Sequence, residues 1–158
     1  MRKTIESSLA GATMTSSAAQ GISYDPQAMM PDVKVIKVGG QSVMDRGRAA
    51  VFPILDELVA AKDTYKLLLC CGGGTRARHI YSVASDLELP TGVLAALGGY
   101  VPRQNARMLQ MLLARHGGLF IMHDDFEKLP LYFRLGCIPI MTGMPPFGYW
   151  EKPTENGR

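Results

Sequence analysis

Two glycine-rich segments, each directly after a short apolar run, constrain the fold of this chain more than any other feature. Residues 33–38 read VKVIKV and precede Gly39–Gly40, and residues 66–71 read KLLLCC and precede Gly72–Gly74. Runs of this length and composition, bounded by glycine, are typical of strands in a parallel sheet. Apolar residues at helical spacing follow each glycine segment. The pattern therefore predicts two successive strand–loop–helix units, with the first strand buried on both faces.

The two predicted loops are suited to binding an anion. Glycine leaves backbone N–H groups uncovered, and the N-terminus of a helix adds a positive dipole that favours phosphate and other oxyanions. Lys37 places a flexible cation beside the first loop, and Arg76 and Arg78 follow the second. Ligands of open parallel sheets bind beyond the carboxyl ends of the strands. We therefore predict a phosphate or oxyanion site built from the two glycine loops.

The rest of the chain alternates between helical and extended patterns. Asp45 or a neighbour is expected to open the helix after the first loop. A short helical segment over Val93–Leu97 is expected to stop at Gly98–Gly99 and to be followed by a helix over Arg103–Arg115. The apolar runs Leu119–Met122 and Ile138–Met141 predict two further strands. This alternation favours a mostly parallel, right-handed α/β sheet.

Side chains of the helix predicted over residues 103–115 fall into two groups. Met108, Met111 and Leu112 form one stripe, which predicts packing in the core. Gln104 and Asn105 lie near the predicted start of the helix. They are candidates either for contact with a substrate or for capping the helix.

Composition limits the classes of protein to which the chain can belong. Its 158 residues are enough for one domain with its own core, and 47% hydrophobic and 20% charged residues are ordinary for a soluble globular protein. A net charge of +3 is too small to argue for nucleic acid or a membrane surface as a partner. No apolar run reaches the roughly 18 residues that a membrane span needs. An odd number of cysteines predicts no disulfide framework and favours the reducing cytoplasm.

The chain divides by composition near residue 31. Residues 1–31 are rich in Ser, Ala, Gly and Met and lack periodicity, which predicts a flexible N-terminal arm. Residues 32–158 are expected to form the folded part, with a polar, loop-like tail from Gly148 onward. These two segments are the predicted domain organisation.

His123 is a candidate metal ligand. It follows the third predicted strand and precedes Asp124 and Asp125, and imidazole binds transition metals. A solvated turn is the alternative interpretation of the same three residues. The sequence leaves both open.

The order of these motifs resembles the amino acid kinase superfamily, which includes the uridylate kinases. The resemblance rests on Lys37–Gly40 after the first strand and on Gly72–Gly74 after the second. Residues 39–50, residues 74–79 and Gly143–Pro146 are further similar to the bacterial molybdenum storage proteins, and more to their beta type of subunit than to their alpha type. The similarity covers roughly residues 33–153.

The resemblance implies a fold, a site and a set of ligands. The fold would be a three-layer α/β/α sandwich of which this chain holds the N-terminal part, with the C-terminal half missing. Lys37 would be the catalytic residue that contacts the phosphoryl group. The implied nucleotide-binding residues are Lys37, Gly39, Gly40, Gly72, Gly73, Gly74 and Arg76. The implied ligands are ATP, Mg²⁺ and molybdate or tungstate as polyoxometalate clusters, held in a hexamer of identical or homologous subunits.

Three functions stay open at this point. The first is a molybdenum or tungsten storage subunit, which Gly143–Pro146 favours because that segment is more similar to the storage proteins than to the kinases. The second is a uridylate-kinase-like phosphotransferase that moves the γ-phosphoryl group of ATP to a small acceptor. The third is an inactive truncated fragment of either. Whether the chain is an enzyme is therefore undecided by its sequence.

Overall fold

The structure is a computed structural model that describes residues 30–144. Almost all of the predicted N-terminal arm, and the predicted tail from Gly148, therefore lie outside the described residues. Three short 3-10 helices cover Met44–Arg46, Ala114–His116 and His123–Lys128. The remaining elements, in chain order, are β1 (Val33–Val38), α1 (Arg48–Ala61), β2 (Lys66–Cys71), α2 (Gly74–Asp86), α3 (Thr91–Leu113), β3 (Gly118–Phe120), α4 (Leu129–Arg134) and β4 (Ile138–Thr142).

The four strands form one sheet in the order β1-β2-β4-β3, and every pairing is parallel. In register, Val38 lies opposite Cys71, and Cys71 in turn lies opposite Thr142. The carboxyl ends of β1, β2 and β4 consequently meet at the same edge of the sheet. The parallel α/β fold predicted from the sequence, with a sheet flanked by helices, is confirmed.

The core joins the sheet to α1 and α3. Leu69 and Ile140, on the two central strands, are fully buried, and the core includes Leu55 of α1 and Leu109 of α3. The prediction that β1 is buried on both faces is wrong. β1 lies at the edge of the described sheet, and Val35 within it is 65% exposed. A short run rich in Val and Ile, here with two exposed lysines, cannot by itself distinguish a central strand from an edge strand.

A single long helix replaces the two segments predicted between residues 93 and 115. α3 runs from Thr91 to Leu113 without interruption, through Gly98–Gly99 and Pro102. Gly98 faces α2, where a Cβ would overlap the ring of Tyr81. Glycine costs about 1 kcal/mol in a helix interior, and here the close approach of two helices outweighs that cost. Pro102 cannot donate to the Gly98 carbonyl, which removes one helical hydrogen bond without ending the helix.

The predicted core stripe on this helix is also wrong. Met108 is 42% exposed, Met111 is 72% exposed and Leu112 is 40% exposed. The buried face of α3 instead carries Val101 and Leu109 at helical spacing. The methionine stripe therefore lies on the surface of the described part of the chain.

No helix within residues 30–144 is long and apolar enough to cross a membrane. Cys70, Cys71 and Cys137 are free thiols. Burial raises the pKa of the Cys71 thiol to about 12. Burial also raises the pKa of Cys70.

Candidate oxyanion site

The two predicted glycine loops meet at the carboxyl edge of the sheet. A Cβ on Gly40 would lie 2.6 Å from the carbonyl carbon of Gly73, and one on Gly74 would lie 2.7 Å from the carbonyl carbon of Gly40. Both distances are too short for a real Cβ, and the atoms in the way belong to the backbone. Gly74 also has a φ of +70°, in the left-handed region that favours glycine. The structure thus brings the first glycine loop against the second, as predicted, and requires glycine at the contact.

Hydrogen bonds hold both loops to the sheet and to each other's flanking segments. The sheet ladder continues past the strand ends, because Gly72 N–H donates to the Val38 carbonyl at 2.9 Å and Gly143 N–H donates to the Cys71 carbonyl at 2.7 Å. Asp45 N–H donates to the Gly40 carbonyl at 2.8 Å and so closes the first loop. Gly143, which follows the end of β4, therefore lies beside the site.

Backbone amides of both loops stay available. Within residues 30–144, the N–H groups of Gly39, Gly40, Gln41, Gly73 and Gly74 donate no hydrogen bond to another part of the chain. Gly40 is buried, and Gly73 and Gly74 are partly buried. Because such amides are normally paired, their lack of a partner is typical of a site that receives a ligand. Successive amide donors at a helix N-terminus suit an oxyanion.

Lys37 lies one position before the end of β1, opposite Cys70 in the register. Its side chain is exposed, and it forms none of the ion pairs found among the described residues. The positive charge is close enough to the Cys70 thiol to oppose the rise in pKa that burial causes. The predicted cation is therefore present at the first loop and is not committed to a carboxylate of the described chain.

Arg76, by contrast, is held by neighbouring side chains. Its guanidinium donates to Oδ1 of Asn105, and its Nε lies 3.9 Å from Oδ1 of Asp45. Asp45 also accepts from Thr75 N–H at 2.6 Å, in the first turn of α2. This hydrogen bond holds the pKa of Asp45 below its usual value, and the charge of Arg76 adds to the effect. Arg76 therefore lies at the second loop in a network with Asn105 and Asp45, and the Asp45 carboxylate partly balances its positive charge.

The roles of two residues in this network were not predicted from the sequence. Asp45 was expected only to open a helix, whereas it connects the first loop to the start of α2. Asn105 was expected to face a substrate or cap a helix, whereas it is buried in the middle of α3 and donates to the Gly72 carbonyl at 2.6 Å. Both contacts join residues about thirty positions apart, so no local pattern marks them.

His123 does not belong to a metal-binding cluster in the described part of the chain. No group of three or more His, Cys, Asp or Glu side chains that could hold a metal ion occurs there. The Nε2 atom of His123 is buried without a hydrogen bond, and its ring meets Phe126 edge-on at 5.8 Å. Asp125 accepts from Met122 N–H and from Lys128, which hold its pKa below the usual value. A ligand role for His123 stays a prediction.

The fold and the paired loops agree with the comparison to known proteins. Residues 32–146 match the amino acid kinase family, and the chain belongs to that family. Within it, the chain is 50% identical over 129 residues to the molybdenum storage protein subunit beta of Azotobacter vinelandii (strain DJ / ATCC BAA-1303). The similar region covers 82% of this chain and 48% of that relative, so the chain spans about half the length of the relative that it matches.

Proposed function

We propose that this chain is part of a molybdenum or tungsten storage subunit that binds ATP and oxyanion clusters in an oligomer of homologous subunits. The observation that carries the proposal is the group of amides, unpaired among the described residues, where the two glycine loops meet, in a chain 50% identical to a storage subunit. Phosphate, molybdate and tungstate are all tetrahedral oxyanions, so one set of N–H donors can serve each of them. The free thiols support the predicted reducing cytoplasm as the location.

Each predicted site residue has a distinct role in this proposal. The amides of Gly40, Gln41, Gly73 and Gly74 bind the oxygens of a phosphoryl group or a metal oxyanion. Lys37 neutralises the negative charge, because it is exposed at the first loop and free of an ion pair with the described residues. Gly39 shapes the first loop through its carbonyl, which accepts from Met44 N–H, and its amide is a further donor to the ligand. Gly72 shapes the second loop through both its amide and its carbonyl. Arg76 contributes charge from within its network.

Mg²⁺ would accompany the phosphates of ATP at this site. The Asp45 carboxylate lies beside Gly74 at the contact between the loops, and its oxygens are already engaged by Thr75 and Arg76. The described residues therefore fit a Mg²⁺ ion held mainly by phosphate oxygens and water, the usual arrangement for nucleotide-bound magnesium. The ion would supply charge neutralisation there.

An exposed apolar stripe on α3 supports the oligomeric part of the proposal. Tyr100, Met108, Met111 and Leu112 are all exposed in the described chain. Aromatic residues and methionine are enriched at subunit interfaces. The matched relative is itself named as a subunit. Association with homologous subunits would cover this stripe and remove its apolar surface from water.

A uridylate-kinase-like phosphotransferase is the second candidate, and the match to the amino acid kinase family favours it. In that case Lys37 would contact the γ-phosphoryl group as it moves from ATP to a small acceptor. The loop amides would stabilise the charge that develops on the transferred group. Whether the chain takes part in catalysis is decided by experiment.

The test is metal analysis of the protein after growth with molybdate or tungstate. Wild-type protein, Lys37→Ala and Gly40→Ala would be purified, together with Gly99→Ala as the control, because nothing lies within 4 Å of a Cβ at Gly99. The proposal expects bound molybdenum or tungsten in the wild type and in Gly99→Ala, and a loss of most of it in the other two. Wild-type protein that retains neither metal would refute storage. Formation of ADP that depends on uridine monophosphate would favour the kinase instead.

A further inference from the structure

Asn105 is a fully buried polar side chain in the middle of α3, and it faces the second glycine loop. Its exposed fraction is 0%, and its Nδ2 atom donates to the carbonyls of Gly72 at 2.6 Å and Gly73 at 3.4 Å. Its Oδ1 atom accepts from Arg76. A buried amide that uses both of its ends in this way is held in place by its neighbours.

The contact with Arg76 determines which end of the Asn105 amide donates. A guanidinium has only donors, so the atom that faces Arg76 must be the oxygen. The NH₂ group must then face the two glycine carbonyls, which are acceptors. The opposite orientation is excluded. It would place the Asn105 NH₂ group against the Arg76 guanidinium, where both are donors, and the Asn105 oxygen against the Gly72 carbonyl, where both are acceptors.

This orientation determines where the next two amides point. In a trans peptide unit the C=O and N–H groups point in opposite directions, and the described chain has no cis peptide. Because the Gly72 and Gly73 carbonyls are directed at Asn105, the N–H groups of Gly73 and Gly74 point away from α3. Gly40 lies on that side, since a Cβ on it would touch the amide nitrogen of Gly74. The two amides therefore face the contact between the loops.

We propose that Asn105 is a positioning residue that directs the Gly73 and Gly74 amides at the bound oxyanion without touching it. The inference rests on the proposed oxyanion function of the loops. An external constraint is needed because peptide units flanked by glycine rotate at little cost. Without the Asn105 donor, the Gly72 and Gly73 carbonyls would have no buried partner, and these peptide units would turn toward water.

The first test uses wild-type chain labelled with ¹⁵N-glycine and titrated with inorganic phosphate, and separately with molybdate. The amide resonances of Gly73 and Gly74 are expected to shift with either anion. The Gly72 resonance is expected to shift less, because its N–H already donates to the Val38 carbonyl. An anion that binds without moving the Gly73 and Gly74 signals overturns the inference, and this result needs no variant. A chain that binds neither anion overturns the inference together with the proposed function.

The second test compares Asn105→Asp with Gln110→Leu. Asp keeps the size of Asn and the contact with Arg76 but, when ionised, cannot donate to the two carbonyls. Gln110 is the matched control on the same helix, where its Nε2 donates to the Gly118 carbonyl at 3.3 Å. Asn105→Asp is expected to bind phosphate about tenfold or more weakly, the loss expected for misdirected donors to a charged acceptor. Gln110→Leu is expected to bind as the wild type does.

The outcomes separate the two proposals. If Asn105→Asp binds phosphate as tightly as Gln110→Leu, the positioning role is wrong, whether or not the wild type stores metal. If the wild type binds phosphate through Gly73 and Gly74 but does not bind molybdate, and Asn105→Asp binds phosphate more weakly than Gln110→Leu, the storage function is wrong and the positioning role holds. The glycine resonances distinguish a misdirected loop from general unfolding, which would collapse the dispersion of the whole spectrum.

Discussion

Replacement of Gly40 by Ala tests whether the contact between the two glycine loops creates the site. The added Cβ would lie 2.6 Å from the carbonyl carbon of Gly73, and ordinary contacts begin at 3.4 Å. The amide nitrogen of Gly74 would lie closer still, so the loops must separate by more than about 0.8 Å, since the opposing atoms belong to the backbone and cannot change rotamer. Overpacking of this kind costs about 1–3 kcal/mol of folding free energy.

The same displacement acts on anion binding. A hydrogen bond of about 2.9 Å that lengthens by about 0.8 Å exceeds the range in which N–H···O contacts are effective. A hydrogen bond to a charged group contributes about 1.5–3 kcal/mol, so the loss of one corresponds to about a tenfold to hundredfold weaker affinity. Gly40→Ala is therefore expected to weaken phosphate binding by at least about tenfold while the fold is retained.

The assay is urea denaturation together with calorimetric titration of phosphate, and Gly99→Ala is the control. Gly99 lies within α3 with nothing within 4 Å of a Cβ. Its replacement by Ala should raise the free energy of unfolding by about 0.5–1 kcal/mol and leave binding unchanged. A Gly40→Ala protein that is as stable as the wild type and binds phosphate equally well would refute the geometry of the loop contact.

Three further predictions concern other parts of the chain. Gly98→Ala should lower the free energy of unfolding by about 1–3 kcal/mol, in contrast to Gly99→Ala, because its Cβ would overlap the ring of Tyr81; thermal melts compare the two. Asp45→Asn should be less stable than the wild type at neutral pH. The pKa of Asp45 is lowered in the folded protein, so its contribution is present above the usual value of 3.8 and lost as the pH falls through the folded pKa. The free energies of unfolding of the wild type and of Asp45→Asn, measured by denaturation, should converge as the pH falls through that range. A difference that stays constant would contradict this role of Asp45. Cys71 should resist thiol reagents at pH 8 until urea is added, because burial raises its pKa to about 12; mass spectrometry of native and unfolded protein locates the label.

The sequence was sufficient for the parts of the fold that depend on local pattern. Parallel strands at residues 33–38 and 66–71, and glycine loops at their carboxyl ends, follow from apolar runs bounded by glycine. The meeting of the loops follows as well, because neighbouring parallel strands end at one edge of a sheet. The spacing of apolar residues and the positions of glycine were enough to predict these features.

The errors fall where distant residues decide the outcome. Gly98–Gly99 was expected to end a helix, but Tyr81, from another helix, packs where the missing side chain would be. Met108 and Met111 have the spacing of core residues, and only the direction in which α3 meets the sheet places them outside. Asn105 was a candidate from its place near a predicted helix start, but its contacts with Arg76 and Gly72 carry no local signal, because these partners lie about thirty positions earlier in the chain.

The strand order β1-β2-β4-β3 also sets the order in which the sheet can assemble while the chain is being synthesised. β2 can pair with β1 as soon as both have left the ribosome. The other edge of β2 stays open until β4 has also left the ribosome. β3 is made before β4, yet within the described sheet it pairs only with β4, so it must wait for a strand that follows it. At ordinary rates of translation the wait from β3 to β4 lasts on the order of one to a few seconds. A ribosomal pause before Ile138–Thr142 has left the ribosome would prolong the exposure of the open edge of β2, whereas a pause after that segment has left it would not.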